Sequence, residues 1–348
     1  MDFMVRVSVF IAGIALAGQA LGVFFSPQLL LAEDNHQQAL AKQIMLKQRS
    51  KYDLRIRETL NLQKDFGNPA SALQVLDHLF GVIKRKIKAK SQYNKEEAIR
   101  VLEVIGNVLK EEGNFEYGKN RLLIEGLEKQ KNGKRFIDCD DYSSIYLAAA
   151  ENLGLFLEPV YVPKHVFLRC KLKDNEDFYW EPTLASEKDF YFYKDWLNIA
   201  EDSVYPKVLN EREFQAIQFC NLGVAWYENG DYEKAIECYN RSVSLSPDFV
   251  EAFNNLGVAY AKQGDYGKAI ECYTEATRKN PYYATPFSNI GVAFYRMGYL
   301  QEAVGYFEKA IEADPKYKRA YSYKVTVLMK KGDYKTAFKF IKRIRSLK

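Results

Sequence analysis

The fold class predicted for these 348 residues is an α+β unit, in which a helix carrying a cysteine is followed by antiparallel strands. An all-α repeat solenoid follows it and a hydrophobic amino-terminal helix precedes it. Three observations predict this arrangement. The last third matches itself when shifted by 34 residues. Between Asp138 and Thr183 the apolar pattern changes from helical to alternating. Val7 to Phe25 is a nearly unbroken apolar run. Length agrees, since 348 residues suit two domains, or three, at about 100–200 residues each.

Composition removes several functional classes. Lys+Arg 50 against Asp+Glu 45 leaves a formal charge of only +5, unlike the concentrated basic surface of a dedicated nucleic-acid binder. With 47% hydrophobic residues and 10 Pro, the chain can bury a core and is not wholesale disordered. Five Cys, widely spaced and without CxxC, exclude a disulfide scaffold and a zinc ribbon or finger. Three His (36, 78 and 165) make a multi-histidine metal centre a poor reading, and neither metal nor cofactor is expected.

The first element is the apolar run, assigned within residues 1–32. As a helix it would span roughly 28 Å, close to the ~30 Å hydrocarbon core of a bilayer. Its length favours an uncleaved anchor, whereas Gly18-Gln19-Ala20 and Leu30-Leu31-Ala32 offer small residues of the kind a signal peptidase cuts after. Both alternatives stay open. Either one implies an extracytoplasmic location on the cell-envelope or periplasmic side, membrane-anchored or secreted.

Residues 33–70 read as a helical linker, and helical spacing continues to about Lys131, as in Leu73, Val75, Leu76, Leu79, Phe80, Val82 and Ile83. Five basic residues between Lys84 and Lys90 suit a solvated helix end. The segment 71–200 is read as one domain. Within it, Asp138 suits an N-cap and Gly154 a helix terminator, with Tyr142, Ile145, Tyr146, Ala149 and Leu153 along one stripe. Cys139 then sits at a helix N-terminus, where the helix dipole favours thiolate, while Asp138, Asp140 and Asp141 oppose it. Leu157 to Val162 reads as a strand. A second strand runs from His165 to Leu172, with Val166, Leu168, Cys170 and Leu172 on one face, and a third from Phe178 to Thr183 carries Glu181. A cysteine at a helix tip, then a histidine, then a carboxylate is the order of a nucleophilic Cys-His-acid set. In that set His165 takes the thiol proton and Glu181 orients the imidazole. A two-residue turn at Asp174-Asn175 would put Glu181 opposite Leu168. Facing His165 requires a turn centred on Lys173, strong twist or a longer loop.

The stretches DCDDYSSIYLAAAENLGL, VPKHVFLRC and WEPT resemble the bacterial transglutaminase-like domain of the papain-like cysteine enzyme superfamily, over roughly Leu73 to Thr183. The resemblance implies Cys139 as nucleophile, His165 as base, Glu181 as third member, and backbone N–H groups near Cys139 as the oxyanion site. Three departures are visible: Ile137 stands where many relatives carry Gly, Glu181 replaces the commoner Asp, and Phe167 is two residues beyond His165 instead of adjoining it.

Residues 201–215 are read as a connecting helix or linker, and 216–348 as about four repeats. Leu222-Gly223, Leu256-Gly257 and Ile290-Gly291 align at a spacing of 34. So do Ala235, Ala269, Ala303 and Ala337, and then Pro247, Pro281 and Pro315. This is the tetratricopeptide (TPR) signature, in which each unit is a pair of antiparallel helices. The fourth unit departs, with Lys324-Val325 in place of Leu-Gly, and ends in a basic stretch suited to a solvated cap. The equivalent Cys238 and Cys272 read as small, half-buried residues. The resemblance implies a concave groove lined by the first helix of each unit, with Tyr227, Asn254, Lys262, Tyr295 and Arg296 as partner-binding candidates. Its mixed chemistry does not match the basic-and-Asn pattern of a carboxyl-terminus clamp.

The expected function is an extracytoplasmic cysteine-dependent hydrolase or acyltransferase. It would act on peptide or amide bonds through a Cys139 thioester, as a cysteine protease, an amidase or a transglutaminase-like transamidase. The TPR groove would recruit a protein or peptide partner, the amino-terminal helix would contact a membrane if uncleaved, and nucleic acid is not a partner. The alternative is a non-catalytic, membrane-tethered TPR scaffold whose transglutaminase-like domain is a degenerate docking unit. Deleting Ala216 onward is expected to remove partner binding and spare the thiol's reactivity.

Overall fold

The computed structural model describes residues 51–117, 122–128, 134–162, 165–173, 176–189, 191–193 and 206–347. The apolar run expected at Val7–Phe25 lies outside the described residues. Among those described, no helix is long and apolar enough to cross a membrane.

Three helices open the described chain: α1 (Lys51–Leu62), α2 (Pro69–Lys86) and α3 (Lys95–Glu111). Asn68 caps α2 by accepting from the Ala70 N–H, with Pro69 at the first helical position, and Asn94 with Glu97 closes a capping box on α3. Ile56 and Leu60 of α1 are buried in the main core, so the segment expected to be a linker at 33–70 contributes packing from α1 onward. The helical reading to Lys131 is also corrected. Strand β1 (Phe115–Tyr117) pairs in parallel with β2 (Arg135–Ile137), and only the short α4 (Leu123–Glu128) lies between them among the described residues.

Helix α5 (Cys139–Leu153) is the centre of this part. Asp138 accepts from the Asp141 N–H at 3.2 Å, and Gly154 ends the helix in the left-handed region at φ 81°. A side chain there would also collide with the Lys90 carbonyl, 2.1 Å from the Cβ position. The helix is buried almost all round, as expected for one covered on every side. One side packs on α1 and α3, the other on an antiparallel sheet of order β6-β5-β4-β3-β7. The strands are β3 (Leu157–Val162), β4 (His165–Cys170), β5 (Phe178–Glu181), β6 (Ser186–Lys188) and β7 (Lys207–Val208). Val166, Leu168, Cys170, Phe178 and Trp180 join the main core with α5, whereas Val160, Val162, Phe167 and Tyr193 form a second cluster.

Helices α6 (Glu211–Glu228) to α13 (Tyr334–Ser346) form four antiparallel pairs: α6 with α7 (Tyr232–Leu245), α8 (Val250–Lys262) with α9 (Tyr266–Lys279), α10 (Ala284–Met297) with α11 (Leu300–Ala313), and α12 (Lys318–Lys330) with α13. Close approach explains the repeated glycine. A Cβ on Gly223, Gly257 or Gly291 would lie 2.6, 2.6 or 2.7 Å from the ring of Tyr239, Tyr273 or Phe307 in the facing helix. The fourth unit exchanges bulk at the aligned positions, with Val325 for the glycine and Ile341 for the aromatic. Its buried Lys324 is held by Glu308 at 2.7 Å and lies 4.0 Å from the Phe340 ring centre.

The array is not separately packed. Ile217, Cys220, Leu222 and Trp226 of α6 belong to the same core as Cys139 and Tyr142 of α5. Phe66 and Trp226 approach to 4.5 Å between ring centres, and Tyr161 of β3 meets Phe249 edge-on at 5.8 Å. This shared core argues against the expectation that deleting Ala216 onward spares the thiol's reactivity.

Candidate functional site

Cys139 is the first residue of α5, and Asp138 holds that end of the helix by its cap. His165 opens β4, one link after β3, and Glu181 closes β5. Their meeting depends on register. Leu168 pairs with Trp180, Arg169 with Tyr179 and Cys170 with Phe178. One step further on, Glu181 therefore stands opposite Phe167. The two-residue turn considered from the sequence would have set Glu181 opposite Leu168, on the other face of the sheet from His165, because a one-residue slip reverses every side chain. In the observed register Glu181 shares the face of Phe167 and His165.

That register makes a close contact. His165 Nε2 and Glu181 Oε2 are 2.7 Å apart, and both side chains are buried. The second carboxylate oxygen accepts from the Thr183 N–H at 3.0 Å and from the Thr183 hydroxyl. In a neutral imidazole, a carboxylate acceptor at Nε2 favours the tautomer protonated there. The imidazole stacks at 6.0 Å on Tyr193, which itself stacks at 3.7 Å on Phe167. Tyr193 is a contact of the imidazole that the sequence reading missed, since it follows the last expected strand and belongs to no periodic pattern.

Cys139 and His165 line one cavity of about 290 Å³. The backbone N–H of Val166, next to His165, hydrogen-bonds the Cys139 sulfur. Burial pushes the thiol well above its ordinary pKa, reinforced by Asp140 and Asp138, and the Val166 N–H opposes the rise. The resting group is thus a thiol at neutral pH. Among the described residues, the Asp138, Asp140 and Asp141 carboxylates are the acid cluster close enough to share an ion, with oxygens within 4.8 Å of one another. Asp138 caps α5, Asp140 accepts from Asn221, and burial with mutual repulsion raises both Asp138 and Asp141. No metal is assigned to them.

The five candidate groove residues differ in environment. Lys262 and Arg296 are exposed. Tyr227 is half-buried and packs on Tyr232 at 5.4 Å, and Tyr295 lies beneath the Lys330 ammonium at 4.8 Å. Asn254 is buried and accepts from Asn289 at 2.9 Å, so it ties neighbouring units together. The residues missed at this face are Asn221, Asn255 and Asn289, one per unit at the 34-residue spacing. Asn221 donates to Asp140 at 3.0 and 3.1 Å, and Asn255 donates to the Cys220 sulfur at 3.5 Å. Their recurrence just before each Leu-Gly or Ile-Gly was the available signal.

Comparison with known proteins agrees with the repeat reading. A family described as TPR repeat matches residues 223–264, and one described as tetratricopeptide repeat matches 250–283 and, in a second form, 284–317. Among curated proteins, "Photosystem I assembly protein Ycf3" of Rippkaea orientalis is 30% identical over 80 residues, 20% of this chain and 46% of that protein. The protein of the same name from Acaryochloris marina is 33% identical over 82 residues, 20% of this chain and 49% of its own length. The chain spans about half the length of the curated relatives it matches. Among solved structures, "Crystal structure of MamA" is 27% identical with a TM-score of 0.35, covering 37% of this chain and 75% of that one. The first TPR of Spaghetti (RPAP3) bound to the HSP90 peptide SRMEEVD is 22% identical with a TM-score of 0.33, covering 34% and 95%. Residues 223–317 of this chain are tetratricopeptide repeats, a type of array whose concave surface serves protein–protein interaction.

Proposed function

We propose that the protein is a cysteine-dependent hydrolase or acyltransferase acting on peptide or amide bonds, built on a transglutaminase-like domain, with the TPR array engaging the protein substrate. The single observation that carries this reading is the 2.7 Å contact of His165 Nε2 with Glu181, in a cavity that also holds Cys139. On this reading, an imidazole held by a carboxylate at Nε2 offers its other nitrogen for proton exchange. In the first step His165 Nδ1 takes the thiol proton as the Cys139 sulfur attacks the carbonyl carbon. Because the thiol is held up by burial and by acids, attack and proton removal are coupled and no resting thiolate is needed. The tetrahedral oxyanion collapses to a thioester while His165 returns its proton to the departing amine. Water or a second amine, deprotonated by the same nitrogen, then attacks the thioester and releases the sulfur. The first N–H groups of α5 have no partners within the helix, and they are the donors assigned to the oxyanion. An extracytoplasmic site of action, with the Val7–Phe25 run as leader or anchor, is part of the proposal.

The test is labelling of Cys139 by a neutral alkylating amide at pH 7.5, read by intact mass and peptide mapping, together with turnover of a peptide-amide library. His165→Ala is expected to slow labelling by 100-fold or more, and Cys139→Ala to abolish both signals. Equal labelling in wild type and His165→Ala would overturn the proposal. It would favour the second reading, a non-catalytic scaffold, which draws on the burial of Cys139 and its raised pKa.

A further inference from the structure

The cavity around Cys139 is walled by two parts of the chain. One wall comes from α5 and the β3–β4 hairpin, with Asp138, Asp140, Tyr161 and His165. The other comes from the first two repeat units, with Ile217, Cys220 and Asn221 on α6, Phe249 just before α8, and Glu251 and Asn255 on α8. The repeat wall is fixed to the cysteine helix. Asn221 donates to both oxygens of Asp140, Gln218 donates to the Ser144 hydroxyl at 3.2 Å, and the Thr59 hydroxyl donates to the Gln218 side-chain carbonyl at 3.3 Å.

We infer that this composite cleft selects a Lys- or Arg-bearing segment of its polypeptide substrate, with the cationic side chain between Asp140 and Glu251 and the neighbouring amide carbonyl at Cys139. The inference rests on the proposed nucleophile and names the substrate class for that site. Charge is the first support. Two carboxylates, Asp140 and Glu251, line the cavity beside Asp138, whose uncharged acid form burial favours, and His165 is the one basic side chain of the lining, in a chain whose net charge is +5. Shape is the second. Tyr161, Ile217 and Phe249 give apolar wall along which the methylene stem of a Lys or Arg lies while its head reaches the acids. The cavity is also large enough for one long side chain. Placement is the third. Glu251 is half-buried in the first turn of α8, where a carboxylate interacts more strongly than in open solvent. A bound cation also offsets the acids that oppose ionisation of the Cys139 sulfur, so a matching substrate promotes its own attack. The repeats thereby act as a specificity wall for the reacting bond, beyond recruiting a partner.

The test uses the full chain and three tripeptide chloromethyl ketones, Ala-Ala-X, with X as Lys, norleucine or Glu. Each alkylates the sulfur with loss of chloride. Chloroacetamide serves as a small uncharged reference, and mass mapping assigns the label to Cys139. The Lys reagent is expected to label Cys139 about tenfold faster than its neutral norleucine counterpart, and the Glu reagent most slowly. In Glu251→Gln, and separately in Asp140→Asn, the Lys-to-norleucine ratio falls by threefold or more; taking the ratio cancels changes in thiol reactivity. Labelling of Cys139 by chloroacetamide with a wild-type Lys-to-norleucine ratio within twofold of one overturns this inference and leaves the proposed nucleophile standing. Absence of Cys139 labelling by all four reagents overturns both.

Discussion

Replacing Glu181 with Gln changes one atom of a buried side chain and tests how the imidazole is set. The carboxylate of Glu181 accepts at both ends, from His165 Nε2 at 2.7 Å on one oxygen and from the Thr183 N–H at 3.0 Å and hydroxyl on the other. A glutamine has one acceptor end and one donor end. With its oxygen toward His165, the amide would point N–H groups at the Thr183 N–H, and that conflict has no remedy. With its oxygen toward Thr183, the conflict with His165 Nε2–H is relieved when the imidazole moves its proton to Nδ1. The second arrangement wins, and it removes the lone pair that accepts the thiol proton in the proposed mechanism. Stability therefore stays within about 1 kcal/mol of wild type, as a hydrogen bond is kept at each end. Loss of a general base lowers the rate by about 10²–10⁴-fold, or roughly 2.7–5.4 kcal/mol of barrier. The assay is chloroacetamide labelling of Cys139 at pH 7.5 alongside a thermal melt. A Glu181→Gln protein that melts within about 3 °C of wild type and labels within threefold of its rate would refute the reasoning.

Other outcomes follow from the same geometry. Asp141 is buried with Oδ2 lacking a hydrogen-bond partner, and its folded pKa is raised by burial and Asp140. The proton is thus bound more tightly in the folded state, and stability present in acid is lost as pH rises from about 3.8 through the raised folded value. Asp141→Asn removes that penalty and is expected to raise the melting temperature by about 2–4 °C at pH 7.5, with the gain shrinking toward pH 4. Gly257→Ala puts a Cβ 2.6 Å from the Tyr273 ring and 3.0 Å from the Ala269 carbonyl, an overpacking that costs about 1–3 kcal/mol; an unchanged urea midpoint would contradict it. Truncation after Leu209 uncovers the faces of α5 and β3 that meet α6 and Phe249, so the product is expected to lose its cooperative melt and bind a hydrophobic dye. A sharp melt with wild-type labelling of Cys139 would show that the repeats are dispensable to the cleft.

Much of the local structure was legible in the residues. Asp138 and Gly154 bound α5, and both chain neighbours and periodicity announce them, because caps and terminators act over three or four residues. The repeat boundaries follow from a 34-residue recurrence that many positions share. The strands β3 and β4 begin where Leu157 and His165 were expected to begin them. By contrast β1, β2, β6 and β7 are two or three residues long, too short for an alternating pattern to rise above a helical background. The candidate groove list fared unevenly for a related reason. Helical phase predicts which face a residue occupies but not whether a neighbouring unit covers it, and Asn254 is covered by hydrogen bonding to Asn289.

What the sequence by itself determined is therefore the type and order of the elements, the repeat array, and the three residue types of the candidate centre. Those features depend on interactions between near neighbours in the chain. What only the tertiary structure decided is the β4–β5 register and the joining of α6 to α5. The first places Glu181 on the His165 face through one residue of pairing, and the second makes Asn221, Phe249 and Glu251 part of the wall around Cys139. Both depend on groups tens of residues apart, whose juxtaposition is set by burial of a shared core and leaves no periodic trace along the chain.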